Sequence, residues 1–236
     1  MIEAILPAEA AAEEAFSDPP GVALFPDEEA IIAKAVDKRR REFTTARACA
    51  RAALARLGLP PVPIVPGLRG APQWPDGVVG SMTHCAGYRA CAVALDRDLL
   101  TIGLDAEPHD KLPDGVLGAV SSEEERKRLT ALAAAMPGTH WDRMLFSAKE
   151  SVYKAWFPLT RRWLGFEDAS VTIDPEKGTF TARLLVNGPH VNDTPLAGFT
   201  GRWLVDGGLI ITAIAVPARL PFAEQAQANV IGLEVR

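Results

Sequence analysis

Cysteine is scarce in this chain: Cys49, Cys85 and Cys91 are its only three. An odd number with no CxxC spacing excludes a disulfide framework and offers no zinc site, so each reads as a small buried hydrophobe. Positive charge is also in deficit, with 25 lysines and arginines against 30 aspartates and glutamates for a net −5. That balance argues against nucleic acid as a general partner, because duplex phosphates are held by a summed positive field. No apolar run reaches the roughly 20 residues of a membrane-spanning helix. The first residues lack the basic and then uninterrupted apolar stretch of an export signal, and Glu9, Glu13 and Glu14 break up an alanine-rich start. A cytoplasmic protein without a membrane span is expected. Nor does any segment repeat at the level of sequence.

What is present is enough for one large domain or two small ones. The 236 residues are 48% apolar and 23% charged, ordinary for a chain that buries a core. From Pro26 to Leu57 apolar residues recur near helical spacing, predicting one long helix or two joined near Thr44, stopped by Gly58. This segment gathers Lys34, Lys38, Arg39, Arg40, Arg41, Arg47, Arg51 and Arg56. A proline-rich connection follows, then three strand-like runs, "VVGSMTHC", "YRACAVALD" and "LLTIGLDAE", the last two predicted to form a hairpin around Arg97 and Asp98. Ser121 or Ser122 with Glu124 and Glu125 marks a capping box opening a helix that ends near Pro137 and Gly138, and a second helix spans about His140 to Trp156. Two further hairpins turn at Pro175 to Gly178 and at Asp206 to Gly208. Helix then strands occurs twice, with a seam near Asp98 to Thr101.

Several groups carry possible chemistry. Asp105 and Glu107 have period-two spacing, so on a strand both carboxylates share a face. Two like charges so close favour a hard divalent cation between them, the alternative being a solvated strand end. In "FSAKESVYKAW" the apolar stripe of Trp141, Leu145, Ala148, Val152 and Trp156 leaves Glu150 and Lys154 as an i, i+4 pair, with Lys149 at the stripe's edge. A surface ion pair would explain that pair equally well. His84 stands beside Thr83, and either a structural or a catalytic role suits it. Arg69 is flanked by Gly67 and Gly70, while Arg39, Arg40 and Arg47 stand on the basic segment, a solvated helix face or a grip on phosphate oxygens. Carboxylates, a lysine, a histidine and arginines together are the parts of a reaction at a polyphosphate.

"GSMTHC", "IGLDAEP" and "FSAKESVYKAW", in this order, with "GLRGAPQWPDG" before them and "FPLTRRWLGFED" after, resemble the 4′-phosphopantetheinyl transferases of the surfactin and enterobactin type, most of all the actinobacterial members. The resemblance covers about Lys38 to Asp168. It implies an α+β fold of two pseudo-symmetric subdomains, 1–100 and 101–236, with coenzyme A in the cleft between them and a monomer sufficient. It implies transfer of 4′-phosphopantetheine from coenzyme A to a serine of acyl or peptidyl carrier proteins of polyketide, peptide and fatty-acid synthases, with release of 3′,5′-ADP. Asp105, Glu107 and Glu150 would bind Mg²⁺, or Mn²⁺ in its place, and Glu150 would act as general base. Lys154, with Lys149 as helper, would contact the pyrophosphate. Thr83 and His84 would hold phosphate, and Arg39, Arg40, Arg47 and Arg69 would hold the 3′-phosphate and adenosine end. Pro66 falls where some relatives carry a basic residue, and Ala106 where many carry a larger apolar one. Arg126, Arg128, Arg161 and Arg162 are candidates for carrier docking. A Mg²⁺-dependent nucleotide pyrophosphate hydrolase and a non-catalytic coenzyme A or carrier-binding module are the alternatives.

Overall fold

The computed structural model describes residues 1–191 and 194–219. After a single 3₁₀ turn at Ile2–Ile5 the chain forms β1 (Ala11–Ala15), α1 (Pro26–Ile32), α2 (Asp37–Arg56), β2 (Val78–Cys85), β3 (Tyr88–Leu95) and β4 (Leu99–Pro108). Three helices follow, α3 (Val116–Val120), α4 (Glu123–Ala135) and α5 (Trp141–Thr160). The rest is strand: β5 (Ala169–Asp174), β6 (Thr179–Leu184), β7 (His190–Val191), β8 (Thr194–Pro195), β9 (Gly198–Asp206) and β10 (Leu209–Pro217). Residues 220–236 of the expected second subdomain lie outside the described residues. Among the described residues no helix is long and apolar enough to cross a membrane.

The basic segment is two helices, and the break falls at Ala33–Val36 instead of near Thr44. Val36 takes an extended conformation, and Asp37 opens α2 with a carboxylate at the positive end of the new helix. Arg40 closes the corner: its guanidinium donates to the Ile32 carbonyl at 2.9 Å and pairs with Glu29. The capping box is at Ser122, whose hydroxyl accepts from the Glu125 amide while the Glu125 carboxylate accepts from the Ser122 amide. Helix α5 runs four residues past the expected Trp156, carrying Pro158 in its last turn, and stops at Arg161 in the left-handed region (φ 54).

Among the described residues three antiparallel sheets form, two large ones ordered β1-β3-β2 and β4-β10-β9-β6-β5 and a small pair, β7-β8. The expected hairpin between β3 and β4 does not form: β3 is the central strand of the first sheet, with both edges taken by β1 and β2, so the chain passes at 96–98 into the second sheet. The hairpins at Pro175–Gly178 and Gly207–Gly208 join β5 to β6 and β9 to β10 as expected.

The layers stack helix, sheet, sheet, helix. Cys49, Ala50, Ala53 and Leu54 of α2 pack on Cys91 and Val93 of β3. The alternate residues Ala90, Ala92 and Ala94 turn to the other face and meet Ile102, Leu104 and Ala106 of β4 and Ile211 and Ala213 of β10. Small side chains on β3 let the second sheet lie close. The far side of that sheet is covered by α5 through Met144, Leu145, Ala148, Val152 and Trp156.

Helix α5 follows β4 in step. Arg143 contacts Glu107, Ser147 contacts Asp105, and Thr101 donates to the Ala155 carbonyl. Four helical residues rise about 6 Å and two strand residues about 6.6 Å, so each helical turn meets the next inward residue of the strand. Gly103 permits the approach: a Cβ there would lie 2.0 Å from the Ser151 carbonyl oxygen.

The sheets join where β2 lies along β4. Side-chain hydroxyls replace a backbone ladder: Ser81 Oγ accepts from the Leu104 amide at 3.0 Å, and Thr83 Oγ1 from the Ala106 amide at 3.1 Å.

Candidate active site

The alternation of β4 turns Asp105 and Glu107 toward α5, opposite to Leu104 and Ala106. Asp105 is 5% exposed. Its Oδ2 accepts from Ser147 Oγ at 2.8 Å, and its Oδ1 pairs with Lys154 Nζ at 2.8 Å, with Thr83 Oγ1 3.4 Å away. Lys154 also donates to the Leu104 carbonyl at 2.9 Å. Glu107 pairs with Arg143 at 2.9 Å, and Arg143 is itself fixed by the Asp110 and Lys111 carbonyls.

Glu150 stands on α5 one turn before Lys154. Burial raises its carboxyl above the ordinary range, and Asp105 and Glu107 add repulsion that Lys154 opposes. Glu107 is raised likewise, by burial and then by Asp105, against Arg143. The three acids therefore share one field. They stand around Lys154 and Arg143, and among the described residues no three acidic, histidine or cysteine side chains are gathered around a common point tightly enough to hold a metal ion. The donor set itself, three carboxylates that each repel the others, has the hard-oxygen chemistry that suits Mg²⁺.

Two cavities flank these groups. One, of about 550 Å³, is lined by Arg69, Trp74, Met82, Glu150, Lys154 and Phe157, among others. The second, about 330 Å³, is walled by Arg39, Phe43, Arg47, Pro66, Thr83 and His84. Gly70, Pro72 and Met82 border both, so the two are neighbours across that rim.

Arg39 Nη1 lies 2.9 Å from His84 Nε2. A guanidinium only donates, so Nε2 accepts and the imidazole is neutral with its proton on Nδ1. Partial burial and then Arg39 lower its pKa, against the opposing Glu42. Arg47 is 8% exposed, donates to the Ile64 carbonyl and lies 3.5 Å over the Phe43 ring. Burial lowers it to about 10, so it stays charged at neutral pH. Arg69 occupies the left-handed region itself (φ 55), and its guanidinium sits 5.0 Å over Trp163, which is 60% exposed.

Two expected site residues are not brought to the cleft. Arg40 is used by the α1–α2 corner. Lys149 is 4% exposed and turned into the protein, where it donates to Glu125 Oε2 at 2.9 Å and to the Phe166 carbonyl at 2.6 Å. Residues one apart on a helix point about 100° from each other, so Glu150 and Lys149 have different surroundings. Of the docking candidates, Arg126 donates to Ser121, Arg128 to Ser170 and Val171, and Arg162 to the Asn187 carbonyl, while Arg161 borders the larger cavity.

The sequence reading missed Arg143, Ser147 and Thr212, and the pairing of the capping-box Glu125 with Lys149. For the first two a signal was present: Arg143, Ser147, Glu150 and Lys154 fall at i, i+4, i+7 and i+11, one polar stripe down α5. Nothing local marks Thr212 or the Glu125–Lys149 pairing, because the partners are distant in sequence.

Acids at a sheet junction, a lysine among them and arginine-lined cavities on either side define an enzyme that works on a phosphate-bearing substrate. Residues 27–94 match the 4′-phosphopantetheinyl transferase N-terminal domain, and residues 101–197 the 4′-phosphopantetheinyl transferase superfamily. The chain is 58% identical to the 4′-phosphopantetheinyl transferase Svp of Streptomyces mobaraensis over 229 residues, covering 96% of this chain and 93% of that one. It is 49% identical to PptT, a 4′-phosphopantetheinyl transferase of Mycobacterium tuberculosis, over 92% of this chain and 98% of that protein. Similarity extends at 28% identity to the enterobactin synthase component D of Salmonella typhi, over 82% and 79% of the two chains. The chain belongs to the 4′-phosphopantetheinyl transferase family. It is a transferase that moves the phosphopantetheine group of coenzyme A onto carrier proteins.

Proposed function

We propose that Glu150 is the general base of this transfer, that Asp105, Glu107 and Glu150 are the ligands of a Mg²⁺ ion, which Mn²⁺ can replace, and that coenzyme A lies across the two neighbouring cavities. The observation that carries the reading is the field that Asp105, Glu107 and Glu150 share around Lys154 where the sheets join, with Glu150 and Lys154 lining the larger cavity. When bound, the ion neutralises charge on the phosphate oxygens.

Glu150 takes the proton of the acceptor serine, whose hydroxyl is a poor nucleophile at neutral pH. A carboxyl raised by burial and by its neighbours is a stronger proton acceptor than an exposed one. The serine oxygen bonds to the phosphorus bearing the pantetheine, the bond from that phosphorus to the bridging oxygen breaks, and 3′,5′-ADP departs. Lys154 offsets the charge that grows on the phosphate oxygens. Thr83, His84, Arg39 and Arg47 hold the 3′,5′-ADP end in the smaller cavity, with Arg69 at the rim of the larger. A neutral His84 offers its Nδ1 proton or, released by Arg39, its Nε2 lone pair.

In this reading residues 1–100 form the subdomain that grips the nucleotide and residues 101–236 the one that carries the acids. The acceptors are acyl and peptidyl carrier domains of polyketide, peptide and fatty-acid synthases, and the reaction is cytoplasmic. The test is the intact mass of an apo carrier after incubation with coenzyme A and Mg²⁺. A gain of one phosphopantetheine, lost with chelator and with Glu150→Gln, is expected. Cleavage of coenzyme A at an equal rate without any carrier would overturn the assignment of serine as nucleophile.

A further inference from the structure

Behind Asp105 lies a run of hydroxyls that none of the roles above uses. Ser147 and Ser151 of α5 and Thr212 of β10 are fully buried between helix and sheet, and Thr212 stands directly opposite Asp105 in the β4–β10 register. Ser147 Oγ is 2.8 Å from Asp105 Oδ2, Thr212 Oγ1 is 2.9 Å from Ser147 Oγ, and Ser151 Oγ is 2.7 Å from Thr212 Oγ1. Thr212 Oγ1 also lies 2.9 Å from the Ser147 carbonyl, and Ser151 Oγ 3.0 Å from the Thr212 carbonyl.

The donor inventory fixes the direction of this chain. An ionised carboxylate only accepts, so the single Ser147 proton goes to Asp105. Ser147 Oγ then accepts from Thr212, and Thr212 Oγ1 accepts from Ser151, each donor sharing its proton with a nearby carbonyl. Three aligned hydroxyls end on one carboxylate oxygen and polarise one another toward it. Packing alone does not ask for them, because alanine and valine of similar size would fill the same layer without burying polar atoms.

We propose that Ser147, Thr212 and Ser151 are positioning residues that fix the rotation of the Asp105 carboxylate, holding Oδ2 inward and presenting Oδ1 to the cleft. The inference rests on the reading of Asp105 as a metal ligand. Outer partners of this kind orient a ligand, and losing one weakens metal binding by roughly ten-fold or more.

The test is Mn²⁺ binding to the full chain with coenzyme A and no carrier, read by electron paramagnetic resonance, so that turnover plays no part. Ser147→Ala is expected to weaken Mn²⁺ about ten-fold, Thr212→Val less, and the double variant no more than Ser147→Ala alone. Ser147→Thr, which keeps a hydroxyl, stays near the original affinity. If Ser147→Ala binds Mn²⁺ like the unaltered protein while Asp105→Asn does not, the chain has no positioning role. Losses that multiply in the double variant mean two separate packing effects and also overturn it. Should Ser147→Ala fail to fold, the isosteric Thr212→Val decides, since unchanged affinity there removes the chain. Undiminished binding by Asp105→Asn would instead sink the ligand assignment, and the proposal with it.

Discussion

Helices α2 and α5 are each 20 residues long and each cover one antiparallel sheet, yet their polar faces are built on opposite principles. On α2 the cleft-facing cations Arg39 and Arg47 face a cavity in which Glu42 is the one acid. On α5 every cleft charge has a counter-charge within hydrogen-bond or ion-pair reach except Glu150, whose charge is opposed by Lys154 at longer range. A surplus of one sign suits holding an anion; a balanced cluster suits exchanging partners when one arrives. The two helices thus carry opposite charge patterns over their sheets.

The sharpest way to break that comparison is Glu150→Gln, which keeps shape and removes the acid. Transfer is expected to fall by about 10² to 10⁴-fold with coenzyme A affinity by calorimetry little changed, and full activity would end the assignment of the base. Next in size is the buried pair behind it. Lys149→Met strands Glu125 and is expected to lower stability by about 3 kcal/mol or more in denaturant unfolding, while the double change Glu125→Gln with Lys149→Met loses less than Lys149→Met alone. A Lys149 that acted on phosphate would instead raise the KM for coenzyme A independently of residue 125.

The α2 side is tested by a pair of neighbours. Arg39→Ala should raise the KM for coenzyme A roughly ten-fold with a weaker dependence on salt, and Arg40→Ala should leave KM alone and lower stability by about 1 kcal/mol or less. Equal effects on KM would erase the distinction between them. Smallest is the titration of His84 followed by nuclear magnetic resonance. Burial and Arg39 depress its folded pKa, so the unfolded chain binds the proton first as pH falls, and the resulting penalty on folding grows between the two values and is fully present below the folded one. Its midpoint should move up toward that of an unfolded-chain histidine in Arg39→Ala.

The acids, the Glu150–Lys154 face and two of the three predicted hairpins were legible because each depends on periodicity within one short stretch. Which strand lies beside which is a different kind of fact. The run from Tyr88 to Leu95 reads as a good hairpin partner for the next strand, and only the claim of β1 and β2 on both its edges prevents it. Lys149 shows the same limit: the helix sets its direction, but Glu125 and the Phe166 carbonyl, which wait there, arrive from other segments. The corner at Ala33–Val36 was hidden because its stabilising contact, Arg40 to Ile32 and Glu29, reaches back across the break.

Thr83 has a place in both the architecture and the chemistry. Its one oxygen receives the Ala106 amide across the junction of the sheets and lies within 3.5 Å of both Asp105 Oδ1 and Lys154 Nζ. Any slip of one half against the other must therefore be registered at the acid and the lysine before it reaches solvent. A partner that pried the halves apart would be felt first at Asp105 and Lys154.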